Sequence, residues 1–190
     1  VEKAIASFER TLVSANSPFD RYHYGHQQDA LSPAARRGLE VFRNPDKGNC
    51  GACHGIDNRY PQFPFVEGSG GKGMKIRFAS AAAIPDVENM AFFTDGKFHN
   101  TGIGADRHGR YKDLGRYLQT HKEEDRGAFK TPSLRNVALT APYMHDGSLK
   151  TLKDVIDFYV RGGNPNPHQD TLIHKLNLTK QERADLLAFL

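Results

Sequence analysis

Apolar residues recur along this chain at helical spacing rather than in strand alternation. Val1, Ile5, Phe8 and Leu12 lie three and four apart and predict an amphipathic helix over the first three turns, ending near Ser14 to Pro18. Ser32 before Pro33 reads as an N-cap with proline at the first helical position. Ala35, Leu39 and Phe42 then mark one face of a second helix, which Asn44-Pro45 ends. Residues 113–120 and 133–139 suit a helical turn or two each. Leu152, Val155, Ile156 and Tyr159 share one face of a helix over 151–161, and Gly162 stops it. The last helix opens on a capping box, Thr179 with Glu182, and is expected to turn Ala184, Leu187 and Leu190 inward. No convincing strand run is present. The pattern predicts an all-α fold with long irregular loops.

Residues 55–93 break the pattern, with Pro61, Pro64, Pro85 and a glycine-rich stretch from Gly68 to Gly73. A phosphate-binding loop would need a strand and a helix around it and a Lys-Ser/Thr pair, and neither is there. The segment reads as a loop insertion in a single domain spanning 1–190. Only 38% of the 190 residues are hydrophobic and the mean hydropathy is −0.62. A bound prosthetic group would make up some of the missing apolar volume. The longest apolar runs are a few residues, so no membrane span is expected. The chain opens without a basic region leading into an apolar stretch, so no signal peptide is expected within it. Formal net charge is +4, but the 26 Lys and Arg are scattered among 22 acids, without the basic stripe that nucleic acid binding needs.

Both cysteines fall in one pentapeptide, Cys50-Gly51-Ala52-Cys53-His54. A disulfide between positions i and i+3 would close a tiny loop and stabilise little. A redox dithiol belongs after a strand in a βαβ unit, and none precedes Cys50. A structural zinc wants four N/S ligands, and no second pair follows. Covalent haem attachment meets all the features. Two thiols three apart on a turn reach the two vinyl groups, and the next residue turns its imidazole onto the iron. Cys50 and Cys53 are therefore expected to carry haem c, with His54 as its proximal ligand.

Further motifs surround the pentapeptide. Residues 4–12 (AIASFERTL) and 16–20 (NSPFD) precede it. Residues 93–102 (FTDGKFHNTG), 129–137 (FKTPSLRNV) and 139–148 (LTAPYMHDGS) follow. In this order they resemble the C-terminal haem half of bacterial dihaem cytochrome c peroxidases and their MauG-like relatives, through most of the chain. The resemblance implies a cytochrome c-like haem domain, exported to the periplasm, that exchanges electrons while hydrogen peroxide reacts at the haem of an N-terminal domain or chain. Electrons come from a small redox protein in the peroxidase branch and from a protein substrate in the MauG-like branch. Nothing here corresponds to the second haem motif of that family, and the 55–93 segment looks longer than its usual connection. The rival reading is a stand-alone single-haem electron carrier.

The sixth iron ligand decides between branches. Met74, Met90, Met144, the other histidines and several tyrosines are candidates, and spacing does not choose among them; a lone Met is commonly core filler. The resemblance places the ligand fourteen residues beyond the His of the His-Asp-Gly turn. From His145 that is Tyr159, with Met144 the alternative. A thioether favours Fe(II) and raises the potential, whereas a hard phenolate favours Fe(III) and lowers it. Thr140 and Pro142 match positions whose backbone carbonyls hold an interdomain Ca²⁺, and His145 matches a His near the haem that is a candidate catalytic residue. Arg135 and Lys130 are candidates to neutralise haem propionates, since guanidinium and ammonium groups pair with carboxylates.

Overall fold

The computed structural model of the chain describes residues 4, 5, 8, 16–56, 91–106 and 108–190. Ala4, Ile5 and Phe8 of the expected first helix are helical and exposed; Val1 and Leu12 lie outside the described residues. So do residues 57–90 of the expected insertion, with Met74 and Met90.

Residues 16 and 17 are not helical, and Pro18 opens the next helix. Helix α1 (Pro18–His23) starts on a capping box in which the Ser17 hydroxyl accepts from the Asp20 amide at 3.2 Å, while the Asp20 carboxylate accepts from the Ser17 amide at 3.0 Å. Helix α2 (Pro33–Arg43) begins as expected, its Ser32 hydroxyl accepting from the Ala35 amide at 3.1 Å. It ends where Asn44 turns extended ahead of Pro45. The chain then passes through a single 3₁₀ turn, Cys50–Ala52.

Two short strands were not foreseen: β1 (Phe98–His99) pairs antiparallel with β2 (Phe129–Lys130), His99 opposite Phe129. Between them lies the one-turn helix α3 (Tyr117–Thr120). Helix α4 (Leu152–Val160) is capped by Thr151 with Asp154 and is followed by Gly162 at φ +90°. Helix α5 (Lys180–Phe189) carries the Thr179–Glu182 box.

The inward face of α5 differs from the expected one. Ala184 and Leu187 are exposed, whereas Asp185 and Leu186 are buried and Phe189 and Leu190 pack on the core. The reason is the neighbour. Helix α5 crosses α2 at Gly38, where an added Cβ would lie 2.0 Å from the Asp185 carbonyl oxygen. At that crossing Arg37 clasps the Asp185 carboxylate with two hydrogen bonds of 2.8 and 2.7 Å. A charged residue thus occupies an inward position that a hydrophobicity pattern assigns elsewhere.

Around this crossing the core is aromatic. Phe42 is fully buried; Phe19, Phe93 and Phe189 meet one another, and Phe93 and Phe189 also meet Phe42, all edge-on or tilted with centroids 5.0 to 6.5 Å apart. Each such ring contributes about 1.5–3 kcal/mol by leaving water. The loop between α4 and α5 folds back along residues 100–102: the Asp170 amide donates to the Asn100 carbonyl at 2.9 Å, and the Asn164 side chain to that of Gly102 at 3.1 Å. Gly102, at φ +85°, lets these backbones approach; a Cβ there would sit 2.0 Å from the Asn164 oxygen. Among the described residues helix is the main regular structure, and no helix there is long and apolar enough to cross a membrane.

Candidate functional site

One cleft of about 450 Å³ runs beside the core. Cys50, Cys53 and His54 reach it from the turn after α2. Leu152, Val155, Ile156 and Tyr159 reach it from α4, which is why those four share a helical face. Phe129, Lys130, Thr140, Pro142, Met144 and His145 complete another part of the lining. An apolar cleft with two thiols and an imidazole suits a large flat prosthetic group.

The chemistry of each donor fits covalent haem. His54 Nδ1 lies 2.8 Å from the Phe93 carbonyl oxygen, so it carries the proton and leaves the Nε2 lone pair for a metal. Burial lowers the His54 pKa, keeping the ring neutral, the form that ligates iron. Both thiols are free. Burial pushes Cys50 up to about 12; burial, then the Asp95 and Asp170 carboxylates, push Cys53 up to about 11. A reactive redox dithiol has a depressed pKa, so these two thiols are poorly suited to that role.

Tyr159 is half-buried, and no hydrogen bond to a described residue holds its hydroxyl. Burial raises its pKa, with Cys53 and Cys50 adding to the shift, so its phenol is neutral until a cation is bound. Met144 also lines the cleft, from a left-handed backbone conformation at φ 70°. The tertiary structure therefore brings the expected proximal ligand and both rival sixth ligands to one space.

His145 stacks on Phe129, ring centroids 3.5 Å apart, at the exposed rim. Thr140 and Pro142 are exposed on the same rim, the Thr140 hydroxyl donating to the Val137 carbonyl at 3.1 Å. Lys130 lines the cleft from β2. Arg135 is placed otherwise than expected. Its guanidinium clasps the Asp20 carboxylate at 2.7 and 2.8 Å, and its Nε donates to the Ala91 carbonyl at 2.8 Å. It does not line the cleft. A buried carboxylate 115 residues away has claimed the fork intended for a propionate.

Sequence reasoning missed a cluster beside Cys53. His99 lines the cleft between two carboxylates, Asp95 and Asp170, and one of its ring nitrogens, one Asp95 carboxylate oxygen and the Cys53 sulfur come within 4.8 Å of one another. Asp95 and His99 sit in one of the motifs quoted above, but Asp170 is 71 residues from His99, and no spacing rule links them.

No family model matches the chain. The methylamine utilization protein MauG of Methylophilus methylotrophus is 34% identical over 192 residues, which take in 100% of this chain and 45% of that protein. The cytochrome-c peroxidase IdrP1 of Pseudomonas sp. (strain SCT) is 35% identical over 191 residues, 99% of this chain and 47% of that one. Among solved structures, a MauG-like protein associated with microbial copper homeostasis matches 92% of this chain and 47% of its own, with TM-score 0.64 and 34% identity. The chain spans about half the length of the curated relatives it matches.

Proposed function

This chain belongs to the family of MauG and the bacterial cytochrome c peroxidases, and we propose that it is the c-type haem electron-transfer domain of a dihaem oxidoreductase that uses hydrogen peroxide. The observation that carries the reading is the convergence of Cys50, Cys53, His54 and Tyr159 on one apolar cleft. When bound, the haem supplies a one-electron iron centre whose potential its axial ligands set.

The chain's residues supply the rest. Cys50 and Cys53 anchor the macrocycle through thioether bonds. The Phe93 carbonyl fixes the tautomer of His54, and Tyr159, or its rival Met144, would supply the iron's second protein ligand. The α4 face of Leu152, Val155 and Ile156 keeps water from the site. Peroxide chemistry belongs to the haem of the partner half, and electrons arrive from a small redox protein or from a protein substrate. The carbonyls of Thr140 and Pro142, on the exposed rim, are the donors this half offers to a shared Ca²⁺. Thioether attachment requires export to a compartment with haem-ligation machinery, so the protein works in the periplasm.

The test is direct. After expression with cytochrome c maturation, acid–acetone extraction should leave the colour with the protein, and its mass should rise by one haem. Colour lost wholly to the organic phase overturns the reading.

A further inference from the structure

We propose that Asp95, His99 and Asp170 form an anionic hydrogen-bonded triad that holds down the redox potential of a haem attached at Cys53. The inference rests on the attachment proposed above, and His99 acts in it as a positioning residue rather than as a ligand.

The protonation state follows from the geometry. His99 Nδ1 lies 2.5 Å from Asp170 Oδ2, and Nε2 lies 2.9 Å from Asp95 Oδ2. A neutral imidazole has one N–H and one lone pair, and a lone pair facing a carboxylate oxygen is repulsive. Both nitrogens must donate, so the ring is an imidazolium. Burial lowers the His99 pKa, but the bonds to Asp170 and Asp95 outweigh it and the net shift is upward.

Each carboxylate is also held by its second oxygen. Asp95 Oδ1 accepts from the Lys97 amide at 2.9 Å, and Asp170 Oδ1 from the Leu172 amide at 2.8 Å. Two carboxylates around one imidazolium leave one negative charge. The side chains are 11, 12 and 23% exposed for Asp95, His99 and Asp170, so water screens that charge weakly.

Its position is what makes it consequential. The cluster abuts the Cys53 sulfur, which becomes the thioether edge of the macrocycle. Asp95 and His99 meet that sulfur directly, Asp170 joins them through His99, and the cation of the same loop, Lys97, is exposed, so the net charge beside the sulfur is negative. Loss of an electron adds positive charge to the haem, and a fixed anion beside it favours that state. An imidazole bound on both nitrogens also has no lone pair left, which removes His99 as an iron ligand or as a base.

The experiment measures the midpoint potential of the haem-loaded chain. Asp170→Asn and Asp95→Asn should each shift it upward, and the double variant further. In parallel, ¹⁵N NMR of the unaltered protein should find both His99 ring nitrogens protonated at neutral pH. Folded, haem-loaded variants with an unmoved potential overturn the proposal, and so does a His99 ring carrying one proton. If the asparagine variants fail to fold, the NMR result decides. A chain whose mass shows no covalent haem fails at the attachment step instead, and takes the triad's role with it.

Discussion

Asp20 and Arg135, 115 residues apart, close a two-pronged ion pair of 2.7 and 2.8 Å with side chains only 6 and 8% exposed. The pair pins α1 to the segment after β2, and Arg135 lies over the Phe93 ring at 5.8 Å, on the same residue whose carbonyl orients His54. This buried charge pair is therefore linked through Phe93 to the proximal ligand.

Removing one partner leaves the other charge buried. Asp20→Asn should cost about 3–5 kcal/mol of unfolding free energy, measured by urea melts. Burial raises the Asp20 pKa, but the bonds from Arg135 and Ser17 outweigh it, and the carboxyl ends below its ordinary value. The pair's contribution is then complete above the unfolded-state pKa near 3.9 and is lost as pH falls through the lower folded value. Acid melts of the parent should steepen in that window, and those of Asp20→Asn should be flatter there.

The axial ligand can be read from spectra. Tyr159→Phe should alter the ferric absorption spectrum and raise the midpoint potential, and Tyr159→Met should raise it further. Met144→Leu should leave the spectrum alone. If Met144→Leu abolishes low-spin character and Tyr159→Phe changes nothing, Met144 is the ligand.

Gly38→Ala tests the crossing of α2 and α5. Its Cβ would meet the backbone at Asp185, which cannot swing aside as a side-chain end can. The substitution favours a helix by propensity but should lower stability by about 1–3 kcal/mol through overpacking. A rise in melting temperature would show that the helices separate freely.

Division of labour between halves predicts weak peroxide turnover by the isolated haem-loaded chain and a gain on adding the partner half. Leu139, 84% exposed beside the rim residues Thr140 and Pro142, suits burial in that contact. Leu139→Lys should leave folding unchanged, within about 0.5 kcal/mol, and reduce the gain. Full turnover by the lone chain would sink the scheme.

Short-range information carried much of this far. The pentapeptide Cys50 to His54 marks its chemistry through neighbours in sequence, and the caps at Ser32, Thr151 and Thr179 work within one helical turn. The α4 stripe predicted the cleft-facing position of Tyr159 because helix geometry maps spacing onto direction. What needed the tertiary structure was every pairing of charge across distance. Arg135 found Asp20, Arg37 drew Asp185 inward past Ala184 and Leu187, and His99 was caught between Asp95 and Asp170. A carboxylate's partner is set by where loops return in space and by the cost of leaving a buried charge alone, and neither quantity is written in residue spacing.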